Sequence, residues 1–197
     1  LAARVGEALK AQGLMLATAE SCTGGWIAQA LTAVPGSSNW FERGFVTYTY
    51  ISKREMLGVS QETLGAHGAV SEQTVREMVV GALANSHAQI AVSVSGTAGP
   101  AGGTPDKPVG TVCFAWGIKN GEPKSVLKRF NGDREAVRRQ AVHFALEGLL
   151  DLLPTAHGQG VPPADHGVVV VNGFHHLILL CKYGQCFSCF LDFRTQL

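Results

Sequence analysis

The sequence predicts an α/β protein built as a single three-layer α/β/α domain on a mixed, mostly parallel sheet. Three observations lead there. Short apolar runs of strand length alternate with segments whose apolar residues recur at helical spacing, the pattern of strands covered by helices on both faces. An Asn-Gly pair late in the chain separates two further runs and marks a hairpin, which adds antiparallel strands to the parallel set. The chain has 197 residues at 46% hydrophobic content, enough for one substantial core and too few for two ordinary domains.

Taken in order, Val5, Ala8, Leu9 and Ala11 give an opening helix its apolar stripe. Leu14-Met15-Leu16-Ala17-Thr18 reads as a short buried strand. Trp26, Ile27, Ala30, Leu31 and Val34 then recur at helical spacing until Pro35-Gly36 stops them. Phe45-Val46-Thr47-Tyr48 is β-branched and aromatic, hence a second strand, followed by a helical turn over 52–57. Ser71-Glu72-Gln73-Thr74 resembles a capped helix start, with Val75, Met78, Val79, Ala82 and Leu83 as its apolar face. Ile90-Ala91-Val92-Ser93-Val94-Ser95 is a third strand running into a glycine-rich loop over 96–103. Two more strands over 109–116 and 125–130 flank the turn Lys119-Asn120-Gly121, and a last helix begins at Asp133.

Residues 1–153 are therefore expected to form the domain. Beyond Pro154 the composition changes: a Gly, Pro and His-rich linker over 155–167 precedes nearly uncharged apolar runs over 168–171 and 177–180. Cys181, Cys186, Cys189, His175 and His176 have the ligand types of a zinc site, but their spacing fits no established zinc module. Residues 154–197 read instead as an atypical apolar tail: a non-native extension, a read-through product or an interaction segment. The formal net charge of +1, with both signs interleaved, gives no electrostatic footprint for nucleic acid or an anionic membrane. With no signal-peptide pattern and no apolar run of spanning length, a cytoplasmic location is expected. Five cysteines without regular spacing argue against a secreted disulfide scaffold. The apolar tail and exposed strand edges suggest a homo-oligomer.

Chemistry concentrates in Ala19-Glu20-Ser21-Cys22-Thr23-Gly24-Gly25, which sets a hydroxyl between an apolar strand and a helix. Ser21 is expected at or just before a helix N-terminus, where free N–H groups and the dipole favour an anion or a developing oxyanion. The same residues also suit an ordinary Ser or Thr N-cap with glycines for close packing. Cys22 reads as a small buried side chain rather than an acidified nucleophile, because adjacent residues near a helix start point in different directions. The loop over 96–103 lacks both the Gly-Lys-Ser/Thr ending of a nucleoside-triphosphate loop and the spacing of a dinucleotide fold. Its backbone is able to approach a ligand closely, though a tight surface loop has the same composition. His67, His87 and His143 are scattered without metal-ligand spacing, and no Ser-His-Asp partnership is legible.

Several segments taken together resemble the C-terminal amidase domain of the CinA family, the nicotinamide-nucleotide amidases. In order they are Ala19 to Gly25 as above, Pro35-Gly36-Ser37-Ser38, Phe45-Val46-Thr47-Tyr48 with Lys53, and His67-Gly68-Ala69-Val70-Ser71. Ser95-Gly96-Thr97-Ala98-Gly99-Pro100, Lys107-Pro108-Val109-Gly110-Thr111-Val112 and Gly132-Asp133-Arg134 complete the set. The resemblance implies hydrolysis of the carboxamide of nicotinamide mononucleotide to nicotinate mononucleotide and ammonia, without cofactor or metal. It puts the nucleophile on Ser21, the general base on Lys53, and on Tyr48 a proton relay or the orientation of the lysine amine. Thr23 and Gly24 then fall beside the reacting carbonyl. Gly96, Thr97 and Gly99 fall to the ribose or phosphate end, and Arg134 becomes a phosphate clamp. The chain departs from the family pattern at Tyr50, where a small amide is common.

Lysine is charged near neutrality, at about 10.4 in water, so Lys53 serves as a base only if burial or a neighbouring cation lowers its pKa. Without the resemblance, Lys53 would read as a solvated residue beside Arg54 and Glu55, and Arg134 as a surface partner of Asp133 or Glu135. The alternative to an amidase is a non-catalytic nucleotide-binding regulatory module.

Overall fold

The computed structural model describes residues 1–153, so the zinc, apolar-tail and linker readings lie outside the described residues. Strand β1 (Leu16–Glu20) is buried at every position because it has a strand on each side and helices over both faces. It starts two residues later than the apolar run suggests. Leu14 closes the turn after helix α1 (Ala2–Ala11), donating its N–H to Leu9. The remaining elements follow as α2 (Trp26–Thr32), β2 (Phe41–Val46), α3 (Tyr50–Leu57), α4 (Gln61–His67) and α5 (Glu72–Ala84). Then come β3 (Ile90–Gly96), β4 (Thr111–Ile118), β5 (Lys124–Arg129) and α6 (Arg134–Leu152).

The five strands lie in the order β2-β1-β3-β4-β5. β1 pairs in parallel with β2 and β3, whereas β3-β4 and β4-β5 are antiparallel, so the sheet is mixed. Asn120 takes a positive φ of 66° in the β4-β5 turn, the left-handed conformation that an Asn-Gly hairpin uses. Helices α1, α2 and α6 cover one face around Leu9, Leu16, Ile27, Leu31, Phe114 and Leu149. The other face carries α3, α4 and α5 on Phe45, Leu57, Leu64, Val75, Met78 and Val79. Among the described residues no helix is long and apolar enough to cross a membrane.

Side-chain caps set most helix starts. Thr49 and Ser52 form a reciprocal capping box on α3, and Ser71 and Asp133 cap α5 and α6 by accepting from Thr74 and Ala136. Helix α4, unforeseen from the sequence, is capped by Ser60 in the same way. α3 lies so close on α5 that a Cβ at Gly81 would stand 1.9 Å from the Leu57 carbonyl oxygen, a contact only glycine permits.

This topology opens the site. The chain leaves β1 toward α2 on one face and leaves the adjacent β2 toward α3 on the other. Their carboxyl ends therefore part and leave a crevice, as at the switch points of open α/β sheets.

Candidate active site

Ser21 leaves the end of β1 with its N–H bonded to the Val94 carbonyl at 3.0 Å, and only 8% of the residue is exposed. Its own carbonyl accepts from Gly24 N–H at 3.0 Å, closing a tight turn. Gly24 and Gly25 continue the turn at φ of 61° and 95°, values that disfavour other residues.

The helix N-terminus next to Ser21 is already filled. The Glu20 carboxylate accepts from Thr23 Oγ1 at 2.6 Å and from the N–H groups of Gly25, Ile27 and Ala28 at 3.1, 2.9 and 2.8 Å. This corrects the expectation that the start of α2 presents free donors to an oxyanion, for those donors belong to Glu20. The N–H groups of the turn itself, Cys22 and Thr23, have no acceptor among the described residues.

Lys53 comes from the opposite side of the crevice. The Thr49 cap starts α3 so that Lys53 falls in its first turns and reaches back over the end of β2. Its Nζ lies 3.0 Å from Ser21 Oγ and donates to the Thr47 carbonyl at 2.6 Å. The side chain is fully buried and has no carboxylate partner among the described residues. Burial pushes its pKa from the ordinary 10.5 down to about 8, because the ammonium loses its hydration without gaining a counter-charge. Burial moves the Cys22 thiol the other way, up to about 12, so Cys22 is a buried neutral group beside the turn rather than a nucleophile.

Tyr48 is 59% exposed, and its hydroxyl accepts from Arg134 Nη2 at 3.0 Å. Arg134 also donates to the Gly99 carbonyl at 2.8 Å, so it joins the glycine-rich loop to the segment after β2 instead of pairing with Asp133 or Glu135. Glu135 binds Arg139 instead. Thr97 commits its backbone to neighbours, its N–H to Thr111 and its carbonyl to Gly110, while Gly96 ends β3 opposite Val112. Thr23 is buried against Glu20, and a Cβ at Gly24 would stand 3.6 Å from Arg138. Tyr50 opens α3, and its hydroxyl accepts from Ala69 N–H at 3.3 Å.

Three participants were not foreseen. A carboxylate inside an apolar strand is itself a sign of a buried bonded group, which is how Glu20 could have been found. Arg138 lies four residues after Arg134, hence on the same helix face, and donates to the carbonyls of Cys22 and Thr23. Thr47 contributes a backbone carbonyl, which no residue type announces. Among the described residues no group of three or more His, Cys, Asp or Glu side chains gathers as a metal site would require.

The chain has relatives among known proteins. The sequence model of a family described as CinA C-terminal domain matches residues 1–153. The chain is 56% identical over 149 residues to the nicotinamide-nucleotide amidohydrolase PncC of Escherichia coli (strain K12), an overlap covering 76% of this chain and 90% of the relative. It is also 56% identical over 152 residues to the protein of the same name from Pseudomonas putida, covering 77% and 94%. Among solved structures, the competence/damage inducible protein CihA from Agrobacterium tumefaciens is similar with a TM-score of 0.75 at 49% identity, over 77% of this chain and 92% of that one.

Proposed function

Because the chain belongs to the CinA C-terminal domain family, we propose that it hydrolyses the carboxamide of nicotinamide mononucleotide through a Ser21 nucleophile and a Lys53 base. The observation that carries this reading is the 3.0 Å separation between Lys53 Nζ and Ser21 Oγ, in a setting that draws the lysine pKa down to about 8. A base of that pKa is partly neutral at physiological pH and remains strong enough to accept the serine proton.

Each step balances. Ser21 Oγ attacks the carboxamide carbon while its proton passes to Lys53 Nζ, and the carbonyl pair moves onto oxygen. Collapse of that tetrahedral oxyanion breaks the C–N bond. Lys53 returns the proton to the departing nitrogen, so ammonia leaves and an acyl ester stays on Ser21. Water then attacks the ester, loses a proton to Lys53, and the nicotinate group departs as Ser21 recovers its proton. The Cys22 and Thr23 N–H groups, without other acceptors, are the donors we assign to the oxyanion. Arg134, with Gly99 and Tyr48 attached to it, supports a ribose or phosphate subsite beside the loop that carries Gly96 and Thr97.

The test is ammonia release from nicotinamide mononucleotide by the purified protein. Turnover is expected, with Ser21→Ala lowering kcat by at least about 10³-fold and Lys53→Met by about 10²- to 10⁴-fold. Mononucleotide binding by calorimetry without turnover would overturn the reading in favour of a binding module. In the active protein kcat/KM is expected to rise with pH and level off above about 8, as Lys53 loses its proton.

A further inference from the structure

Arg138 spends its charge in an unusual place. It has no carboxylate within ion-pair distance among the described residues. Its Nε donates to the Cys22 carbonyl at 3.0 Å and its Nη2 to the Thr23 carbonyl at 2.9 Å. The guanidinium carbon lies 5.3 Å from the centroid of the Trp26 ring, a cation–π contact that helps hold it. A single side chain from α6 therefore grips two consecutive peptides of the turn that presents Ser21.

Gripping a carbonyl also aims an N–H. A trans peptide is planar, so its carbonyl and its N–H point in opposite directions. The Cys22 carbonyl shares its peptide with Thr23 N–H, and the Thr23 carbonyl shares its peptide with Gly24 N–H. With both carbonyls drawn toward Arg138, both N–H groups turn to the other side. Gly24 N–H shows where that is, since it bonds the Ser21 carbonyl at 3.0 Å. Thr23 N–H is left without an acceptor in a fully buried residue, an arrangement that folded proteins avoid unless the donor has a use.

The electrostatics point the same way. Glu20 absorbs the donors at the start of α2, so the dipole of that helix is spent on a carboxylate. Besides Lys53, which carries the serine proton when the oxyanion forms, Arg138 brings a second cation to the turn. A cation bonded to the carbonyl end of a peptide polarises that peptide and strengthens its N–H as a donor.

We propose that Arg138 is a positioning residue: through the Cys22 and Thr23 carbonyls it orients and polarises the nucleophile turn, so that the unbonded Thr23 N–H receives the oxyanion. The proposal rests on the reading of Ser21 as nucleophile, and the experiment separates the two. Wild type, Ser21→Ala, Arg138→Met and Arg138→Lys are compared for kcat and KM on nicotinamide mononucleotide. Inhibition by the aldehyde analogue of the substrate, which forms a tetrahedral adduct on a serine, is measured beside binding of the product nicotinate mononucleotide.

Arg138→Met is expected to lower kcat by about 100-fold and to weaken aldehyde inhibition by a similar factor. KM, product binding and the pH at which kcat/KM levels off are expected to stay within about threefold or a few tenths of a pH unit, since neither ground-state contacts nor Lys53 are touched. If Arg138→Met does not fold, Arg138→Lys carries the same comparison with a smaller loss, because an ammonium lacks the planar fork that spans two carbonyls. Equal weakening of product and aldehyde binding would assign Arg138 a merely structural or ground-state role and overturn the proposal, as would unchanged kcat in a folded Arg138→Met. Persistent turnover in Ser21→Ala would overturn the nucleophile reading instead, whatever the Arg138 variants do.

Discussion

Lys53 is held at a cost to the fold. The displacement of its pKa from 10.5 to about 8 corresponds to about 3 kcal/mol between folded and unfolded states. The folded pKa lies below the unfolded one, so the unfolded chain binds the extra proton and stability rises with pH between about 8 and 10.5; below about 8 the penalty is complete. Lys53→Met is therefore expected to be more stable than wild type at pH 7. The gain is on the order of 2 kcal/mol once the loss of the Thr47 hydrogen bond is set against it. Urea denaturation at pH 7 and again near pH 10.5, where the gain should shrink, checks this. Ser21 stands out by its place between an apolar strand and a helix, whereas Lys53 and Arg134 enter only through the family resemblance, since by residue type alone they read as surface residues. From the sequence a depressed lysine pKa is only a requirement of the chemistry, for burial is a property of what packs around a residue. The Thr47 carbonyl and the N–H groups of the turn have no letter of their own in the sequence.

Strand and helix identity were read well, since period and composition report them, but strand ends drifted. β1 gains Glu20 because a carboxylate that finds three N–H donors and a hydroxyl can be buried where hydropathy alone forbids it. α4 was missed because seven residues containing a glycine offer too short an apolar pattern. Two predictions belong here. Glu20→Gln places an amide N–H₂ among donors and removes the charge, so it is expected to cost about 2 kcal/mol by thermal denaturation and to loosen the entry to α2. Gly81→Ala forces α3 away from α5, and α3 carries Lys53; it is expected to lose both stability, by more than about 2 kcal/mol, and turnover. Loss of stability with kcat intact would show that Lys53 reaches Ser21 independently of the α3–α5 contact.

The alternation of elements was enough to foresee three layers and a mixed sheet, because connections that must cover both faces leave few topologies. The pairing of β1 with both β2 and β3 was not legible, and with it the crevice, since strand order depends on which face each connection takes. The division after residue 153 is our proposal, and a chain ending there is expected to keep the kcat of the full protein. A several-fold loss would give residues 154–197 a part in the active enzyme. Of the three tryptophans, Trp40 and Trp116 are buried at 3% and 7% exposure, which leaves the partly open indole of Trp26 beside the Arg138 guanidinium. The protein thus carries its own optical probe: replacing the guanidinium in Arg138→Met should alter the ultraviolet emission of Trp26 and its quenching by iodide, so that the state of the Arg138 contact can be read without a label.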